Sequence, residues 1–200
     1  MKSFKQTKVE AQGLPTEEWD VLYSTQGECL SYLAVNHSHR EFLWIDPVLP
    51  IPGSENAANS SKIFRHPVEW KNYTCLGVID THTHADHISA AAQWAEDLKA
   101  PLLMHHLSPS RRVHLRIAHE TRIPSQAGSV RLILTPGHTP DGICVEWGPF
   151  VFTGDTVLYG DVGRDDLPGG NPAEHYESLE SLTASSMPRA TPRRSRRGGA

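Results

Sequence analysis

The stretch VIDTHTHADHISA, residues 78–90, constrains this chain more than any other. It places His82, His84, Asp86 and His87 directly after a short apolar run and just before apolar residues at helical spacing. Three imidazoles and a carboxylate would make a poor hydrophobic core, whereas these groups are ligands that zinc and iron accept. The spacing H-x-H-x-D-H at a strand-to-helix junction therefore predicts a metal site rather than an ordinary polar loop.

The composition limits the class of protein. With 200 residues, 38% of them hydrophobic, the chain is long enough for one globular domain. The formal net charge of −4 is too small to indicate a nucleic-acid or membrane partner. Three cysteines without a CxxC motif argue against a disulfide framework and a cysteine zinc site, and they indicate a reducing, cytoplasmic compartment. We expect neither a signal peptide nor a membrane span, because no apolar segment is long enough.

Strand and helix signals alternate along the chain and predict an α/β fold. Residues 88–98 carry apolar side chains at helical spacing, and NPAEHYESLESL begins another helix with Asn171 as its cap. The segment 48–67 is rich in Pro, Gly, Asn and Ser and is expected to be a long loop. Apolar runs typical of strands are EWDVLYS, CLSYLAV, EFLWIDP, TCLGVID, PLLMHH, SVRLILTP, GICVEW and PFVFTGD.

Two later turns add candidate ligands at strand ends. LTPGHTPDG puts His138 just past a predicted strand, and VFTGDTVLYG puts Asp155 just past another, after Gly154. By itself, a histidine or an aspartate in a glycine turn is usually only a turn residue. Because α/β sheets commonly present ligands at strand ends, the pair adds one nitrogen and one carboxylate ligand to the predicted site.

In this order, THTHADH, TPGHTPDG and TGDTVL resemble the motifs of the metallo-β-lactamase superfamily, over roughly residues 23–182. The resemblance implies an αββα sandwich, in which two stacked β-sheets are flanked by helices and the metal lies at the sheet edge. Carried over by position, the ligands of a first metal would be His82, His84 and His138. The ligands of a second metal would be Asp86 and His87, and Asp155 would bridge the two metals.

The stretch GDVGRDDLPGG is similar to a motif of persulfide dioxygenases and their glyoxalase II-like relatives. In the dioxygenases a single iron is held by residues matching His82, His138 and Asp155, which leaves positions open for substrate and oxygen. The resemblance also places Arg164 near the substrate entrance. The alternative for Arg164 is a structural ion pair with one of the nearby acids, Asp161, Asp165 or Asp166.

The chain departs from the family in two places. The helix expected after the IDP strand is replaced by the 48–67 loop, and the later histidine of two-metal relatives is missing. His175 lies inside the predicted second helix, where it is read as a helix-face residue. Residues 183–200 contain five arginines, whose removal takes the formal charge from −4 to −9. We therefore expect a metallo-β-lactamase-like domain over residues 1–182, incomplete at its C-terminus, and a basic, disordered tail over 183–200.

These features favour an Fe(II) persulfide dioxygenase that oxidises glutathione persulfide to sulfite. The first alternative is a glyoxalase II-like thioester hydrolase, in which zinc or iron lowers the pKa of a water that Asp86 orients. The second is an inactive metal-binding domain. The missing last ligand weakens a two-metal hydrolase more than a one-metal oxygenase. We expect a small thiol-derived substrate such as a glutathione conjugate. The sequence leaves open the choice between Fe(II) and Zn(II), the exact substrate and whether the chain forms a homodimer.

Overall fold

The computed structural model describes residues 18–26, 29–49, 72–158 and 160–186. In the first sheet, strands β1 to β6 lie side by side in chain order. β1, β2 and β3 are antiparallel, whereas β3 to β6 are parallel to one another. Their bounds are β1 Trp19–Gln26, β2 Cys29–Asn36, β3 Glu41–Ile45, β4 Thr74–Ile79, β5 Leu102–His105 and β6 Leu115–Ile117.

The second sheet is antiparallel, with strand order β10-β9-β8-β7, and a short hairpin of β11 and β12 follows it. The strands β6, β7, β11 and β12 were not predicted, because each has only two or three residues and shows no periodicity. The bounds are β7 Thr121–Ile123, β8 Val130–Leu134, β9 Ile143–Trp147, β10 Phe150–Phe152, β11 Val157–Leu158 and β12 Asp161–Val162.

The main hydrophobic core lies between the two sheets, because apolar side chains from both form one buried cluster. Trp147 of β9 is fully buried, and its ring meets the ring of Trp19 edge-on at a centroid distance of 4.8 Å. The first sheet contributes Val21, Ala34, Leu43, Ile45, Ile79, Leu103 and Ile117, and the second contributes Val130, Leu132, Ile143, Val145, Trp147 and Phe152.

The helices cover the outer faces of this sandwich. Helix α1, Ala91–Leu98, packs through its buried alanines and Trp94 on the first sheet, where Trp94 stacks on Trp44 at 4.6 Å. Helix α2, Pro172–Ser186, packs through Leu182 on the second sheet. The αββα arrangement expected from the sequence is therefore confirmed. No helix in the described part of the chain combines the length and apolarity needed to cross a bilayer.

Helix α2 begins as predicted and ends later than predicted. The Asn171 side chain accepts hydrogen bonds from the backbone N–H groups of Ala173 and Glu174, at 3.1 and 3.3 Å, which satisfies two free helix donors. The helix continues to Ser186, four residues past the expected domain boundary at residue 182. The rest of the predicted tail, residues 187–200, and most of the predicted loop, residues 50–67, lie outside the described residues.

Candidate metal centre

The candidate ligands follow strands of both sheets and meet at one edge of the sandwich. The H-x-H-x-D-H turn leaves the end of β4, which lies parallel to β3, and Asp46 directly follows β3. His138 lies in the turn between β8 and β9, and Asp155 lies in a single 3-10 turn after β10. Because these turns come from strands that end together, residues far apart in sequence become neighbours.

The structure brings His82, His138 and Asp155 together, a group that we call the first cluster. One potential ligand atom from each residue lies within 4.8 Å of those of the other two. His138 Nε2 is 3.5 Å from Asp155 Oδ2, and the rings of His82 and His138 have centroids 5.1 Å apart. Two imidazoles and one carboxylate therefore face a common point, in the combination that we expected for a single metal.

The His82 ring is held in one tautomer by its neighbours. Thr81 Oγ1 donates its hydrogen to Asp46 Oδ2 at 2.8 Å, so the same oxygen accepts a hydrogen bond from His82 Nδ1 at 3.0 Å. Nδ1 therefore carries the proton and Nε2 keeps its lone pair. Burial, followed by the nearby His84, lowers the pKa of His82 to about 4, so the ring is neutral at pH 7 as a metal ligand must be.

His138 is oriented by the backbone of Arg164. Its Nδ1 lies 2.6 Å from the Arg164 carbonyl oxygen, which can only accept, so Nδ1 is the protonated nitrogen and Nε2 faces Asp155. The Arg164 guanidinium forms a paired contact with Asp166, at 2.8 and 3.1 Å, and is 64% exposed. In the structure the Arg164 side chain therefore forms the ion pair that was the alternative interpretation. A catalytic role for Arg164 stays a prediction.

His84 lies beside His82 as expected, with ring centroids 4.2 Å apart, but its Nε2 faces a different group of side chains, and its role as a ligand stays a prediction. Its Nε2 is 3.2 Å from Asp46 Oδ1 and 3.9 Å from Asp80 Oδ1. Burial opposes its charged form, but the hydrogen bond and charge of Asp46 outweigh burial and raise the pKa of His84 to about 9. Burial also raises the pKa of Asp80 to about 7. Sequence reasoning missed Asp46 and Asp80, although both follow strands directly.

Asp86 and His87 form a second cluster together with Cys29, a residue that the sequence did not indicate. Cys29 Sγ donates to Asp86 Oδ2 at 3.0 Å, and His87 Nδ1 lies 3.0 Å from Asp86 Oδ1. Partial burial alone would raise the pKa of Asp86, but the Cys29 thiol and His87 lower it to about 2. The carboxylate is therefore ionised at pH 7, and its side chain is 62% exposed.

Helix α2 packs against both turns of the first cluster. His175 is buried, with Nε2 2.9 Å from the carbonyl oxygen of Thr156, the residue after Asp155. Gly137, the residue before His138, has φ of +140°, and a Cβ there would lie 2.3 Å from His175 Cα. His175 lies on a helix as expected, but on its inward face, where it supports the ligand turns.

Comparison with known proteins finds a similar fold and a partial match to a family model. The structure of ETHE1 from Myxococcus xanthus superposes with a TM-score of 0.67 and 29% sequence identity, covering 82% of this chain and 68% of that chain. Residues 121–190, which include His138 and Asp155, match the family model described as the Metallo-beta-lactamase superfamily. By this match and this superposition, the chain is similar to proteins of the metallo-β-lactamase superfamily and shares their fold.

The curated relatives that match this chain are longer than the chain. A beta-lactamase hydrolase-like protein from Xylella fastidiosa is 26% identical over 199 residues, which cover 88% of this chain and 46% of the relative. A hydroxyacylglutathione hydrolase from Anaeromyxobacter dehalogenans is 34% identical over 103 residues, covering 51% of this chain and 40% of the relative. The chain thus spans less than half the length of these relatives.

The residues of this metallo-β-lactamase-fold site fit a metal ion. In the first cluster, two imidazoles are held through Nδ1, which leaves Nε2 as the atom available for a metal, and a carboxylate lies beside them. In the second cluster, the buried His87 Nε2 has no hydrogen-bond partner among the described residues. Bare nitrogens beside carboxylates are the donors that borderline divalent metals take.

Proposed function

We propose that this chain is a mononuclear iron oxygenase of the persulfide dioxygenase type, which oxidises glutathione persulfide to sulfite. The first cluster carries the proposal, because His82, His138 and Asp155 form a two-His-one-carboxylate set, while the neighbouring His84 groups with Asp46 and Asp80. Such a set, with its open positions, is typical of non-haem Fe(II) oxygenases. The similarity to ETHE1, a persulfide dioxygenase, supports the same assignment.

The chain's own contribution would be to position the metal and the substrate. A bound Fe(II) would bring the persulfide sulfur and dioxygen side by side. In the overall reaction, the outer sulfur is oxidised and dioxygen is reduced, water supplies the remaining sulfite oxygen, and glutathione leaves as the thiol. The Thr81–Asp46 pair and the Arg164 carbonyl keep the two imidazoles in place. Asp155 is 46% exposed, so the cluster is open to solvent on the carboxylate side.

The second candidate is a glyoxalase II-like thioester hydrolase. Two observations favour it: the similarity to a hydroxyacylglutathione hydrolase, and the second cluster beside the first. In that case, water would attack a thioester carbonyl, and Asp86 would orient that water. Either function takes a small thiol-derived substrate, a glutathione conjugate. A chain with neither activity would be the inactive metal-binding domain.

Metal analysis and two assays on aerobically purified protein test the proposal. We expect roughly one iron per chain and oxygen uptake with glutathione persulfide, because the first cluster offers one such site. His138→Ala should abolish both, whereas Glu96→Gln on the exposed face of α1 should change neither. Zinc-loaded protein that hydrolyses a hydroxyacylglutathione thioester without taking up oxygen would overturn the oxygenase and establish the hydrolase.

A further inference from the structure

We propose that the Cys29 thiolate is a further ligand at the metal position that the family resemblance gives to Asp86 and His87, which makes the second cluster a zinc-type site. The inference does not rest on oxygenase chemistry at the first cluster. It assigns the thiol of β2 a direct role at the metal centre. Histidine and carboxylate spacing did not indicate that role.

The pairing of β1 with β2 places Cys29 next to Asp86. Cys29 is the first residue of β2 and pairs with Gln26, the last residue of β1, so it lies at the tip of an edge hairpin. That tip reaches the H-x-H-x-D-H turn, where Asp86 lies 57 positions further along the chain. One ligand atom from each of the three residues lies within 4.8 Å of the other two. Ligands of one tetrahedral zinc lie roughly 3–4 Å apart, so small side-chain movements would close the site.

An independent observation on His87 points to a missing partner. Its side chain is only 10% exposed, and Nδ1 is engaged by Asp86. Nε2 is buried and has no hydrogen-bond partner among the residues that the structure describes. Leaving a buried polar atom unpaired costs about 1–3 kcal/mol, so such atoms normally have a ligand or a water. A metal ion at the second cluster would engage this imidazole.

The donor set predicts the class of ion. One thiolate, one imidazole and one carboxylate form a softer set than the two imidazoles and carboxylate of the first cluster, which favours Zn²⁺, Co²⁺ or Cd²⁺ over Fe²⁺. The other two cysteines serve as internal references. Burial raises the pKa of Cys75 to about 12 and that of Cys144 to about 11, so both stay protonated, and neither joins a ligand group among the residues that the structure describes.

Anaerobic Co²⁺ titration of the metal-free full chain tests the proposal. We expect two equivalents to bind, one of them with the near-ultraviolet thiolate-to-cobalt charge-transfer absorption. Cys29→Ser should remove that absorption and weaken one equivalent by more than about 100-fold, beyond the loss typical of residues that only orient a ligand. The other equivalent should remain. Cys75→Ser should behave like the unchanged chain.

Cys29→His provides the complementary variant, because imidazole can replace thiolate as a ligand. It should bind two equivalents without the thiolate absorption. The proposal is overturned if the unchanged chain shows no thiolate absorption, if Cys29→Ser keeps two equivalents of equal affinity, or if Cys29→His fails to recover the second. Failure of the oxygenase function is distinguishable, since oxygen uptake would be absent while both Co²⁺ equivalents still bind.

Discussion

The two clusters at this centre differ in the hydrogen bonds that orient their side chains. In the first cluster, each imidazole has a partner outside the cluster, Thr81 for His82 and the Arg164 carbonyl for His138. In the second cluster, Cys29 and His87 both bond to Asp86, a neighbour within the cluster whose side chain is largely exposed. The fold thus orients the imidazoles of the first cluster in advance, whereas the ion proposed for the second cluster would have to draw its exposed carboxylate into place.

This difference predicts a difference in affinity. Ordering a mobile side chain costs about 0.5–1.5 kcal/mol, and most of that ordering is already present in the first cluster. The exposed Asp86 must still be ordered when the second cluster binds an ion. We therefore expect the first cluster to bind its metal more tightly, and the variants below test this contrast in order of expected effect.

Removing Asp155, the carboxylate of the first cluster, should have the largest effect. A catalytic metal contributes several kcal/mol to a reaction, so Asp155→Ala should lower oxygen uptake by roughly 10³-fold or more and release the iron. Metal analysis and the oxygen electrode measure both effects. Asp97→Ala, an exposed acid on α1, is the matched control. An Asp155→Ala protein that retained iron and turnover would show that Asp155 is not a ligand.

The support of the first cluster by α2 is tested at His175. His175→Leu leaves the Thr156 carbonyl without its buried donor, which should lower the free energy of unfolding by about 1–3 kcal/mol. Iron affinity should fall by about 10-fold or more, while the Co²⁺ affinity of the second cluster should change little.

Two further variants distinguish the loss of the His175 hydrogen bond from a general destabilisation of helix α2. His175→Gln keeps a side-chain N–H donor and should recover much of the iron affinity, and Tyr176→Phe, on the exposed face of α2, should leave it unchanged. Equal losses of affinity at both clusters in His175→Leu would contradict a specific role for His175.

The second cluster is tested separately by Asp86→Ala. The chain should still hold roughly one iron, because Asp86 does not belong to the first cluster, while turnover should fall by about 10-fold. The thiolate absorption of the Co²⁺ protein should also disappear, since the Asp86 carboxylate that contacts both Cys29 and His87 is lost. If iron at the first cluster is lost as well, a coupled two-metal centre is established, and the hydrolase is the better assignment.

His84, which lies between the clusters, predicts a pH dependence of stability in metal-free protein. Its folded pKa of about 9 lies above the ordinary value of 6.5, because the Asp46 interaction outweighs burial. Its contribution is therefore complete below pH 6.5 and is lost as the pH rises through 9. Stability should fall between pH 7 and 9 by up to about 1.4 kcal/mol per pH unit. Urea unfolding measures this slope. His84→Gln should flatten it, whereas the exposed His119→Gln should not.

The smallest effect is expected from the C-terminal segment. Residues 187–200 contain no histidine, cysteine, aspartate or glutamate, so they offer no side-chain ligand of these kinds to either cluster. Deleting them should leave both Co²⁺ equivalents and oxygen uptake nearly unchanged. Deletion from residue 183 should do more harm, because it removes the last turn of α2. Loss of a bound equivalent on deleting 187–200 would show that the segment reaches the site.

Local patterns in the sequence indicated an α/β fold and the candidate ligands, whereas the αββα arrangement and the grouping of His82 with His138 and Asp155 came from the family resemblance. The H-x-H-x-D-H spacing and the turns carrying His138 and Asp155 all follow apolar strands, and strand ends meet at one edge. Contacts across the sheet could not be predicted in the same way. The bond between His84 and Asp46 depends on β3 lying beside β4, which no spacing reveals.

Cys29 was missed for a similar reason. A single cysteine at the start of a strand shows no ligand spacing, and it meets Asp86 only through the tip of the β1–β2 hairpin. The end of α2 was placed too early because TASS, residues 183–186, has no apolar face to indicate a continuing helix. His175 was read correctly as helical, but only the packing of α2 on Gly137 shows which way it faces.

Helix α2 packs on the turns that carry His138 and Asp155. Metal binding at the first cluster and the local unfolding of α2 are therefore linked equilibria. An ion that binds only the closed arrangement stabilises it by about 2.7 kcal/mol at a hundredfold excess over its Kd. That stabilisation should slow amide hydrogen exchange in α2 more than in α1, which packs on the opposite sheet. Without bound metal, α2 would therefore become accessible to a protease before α1 does.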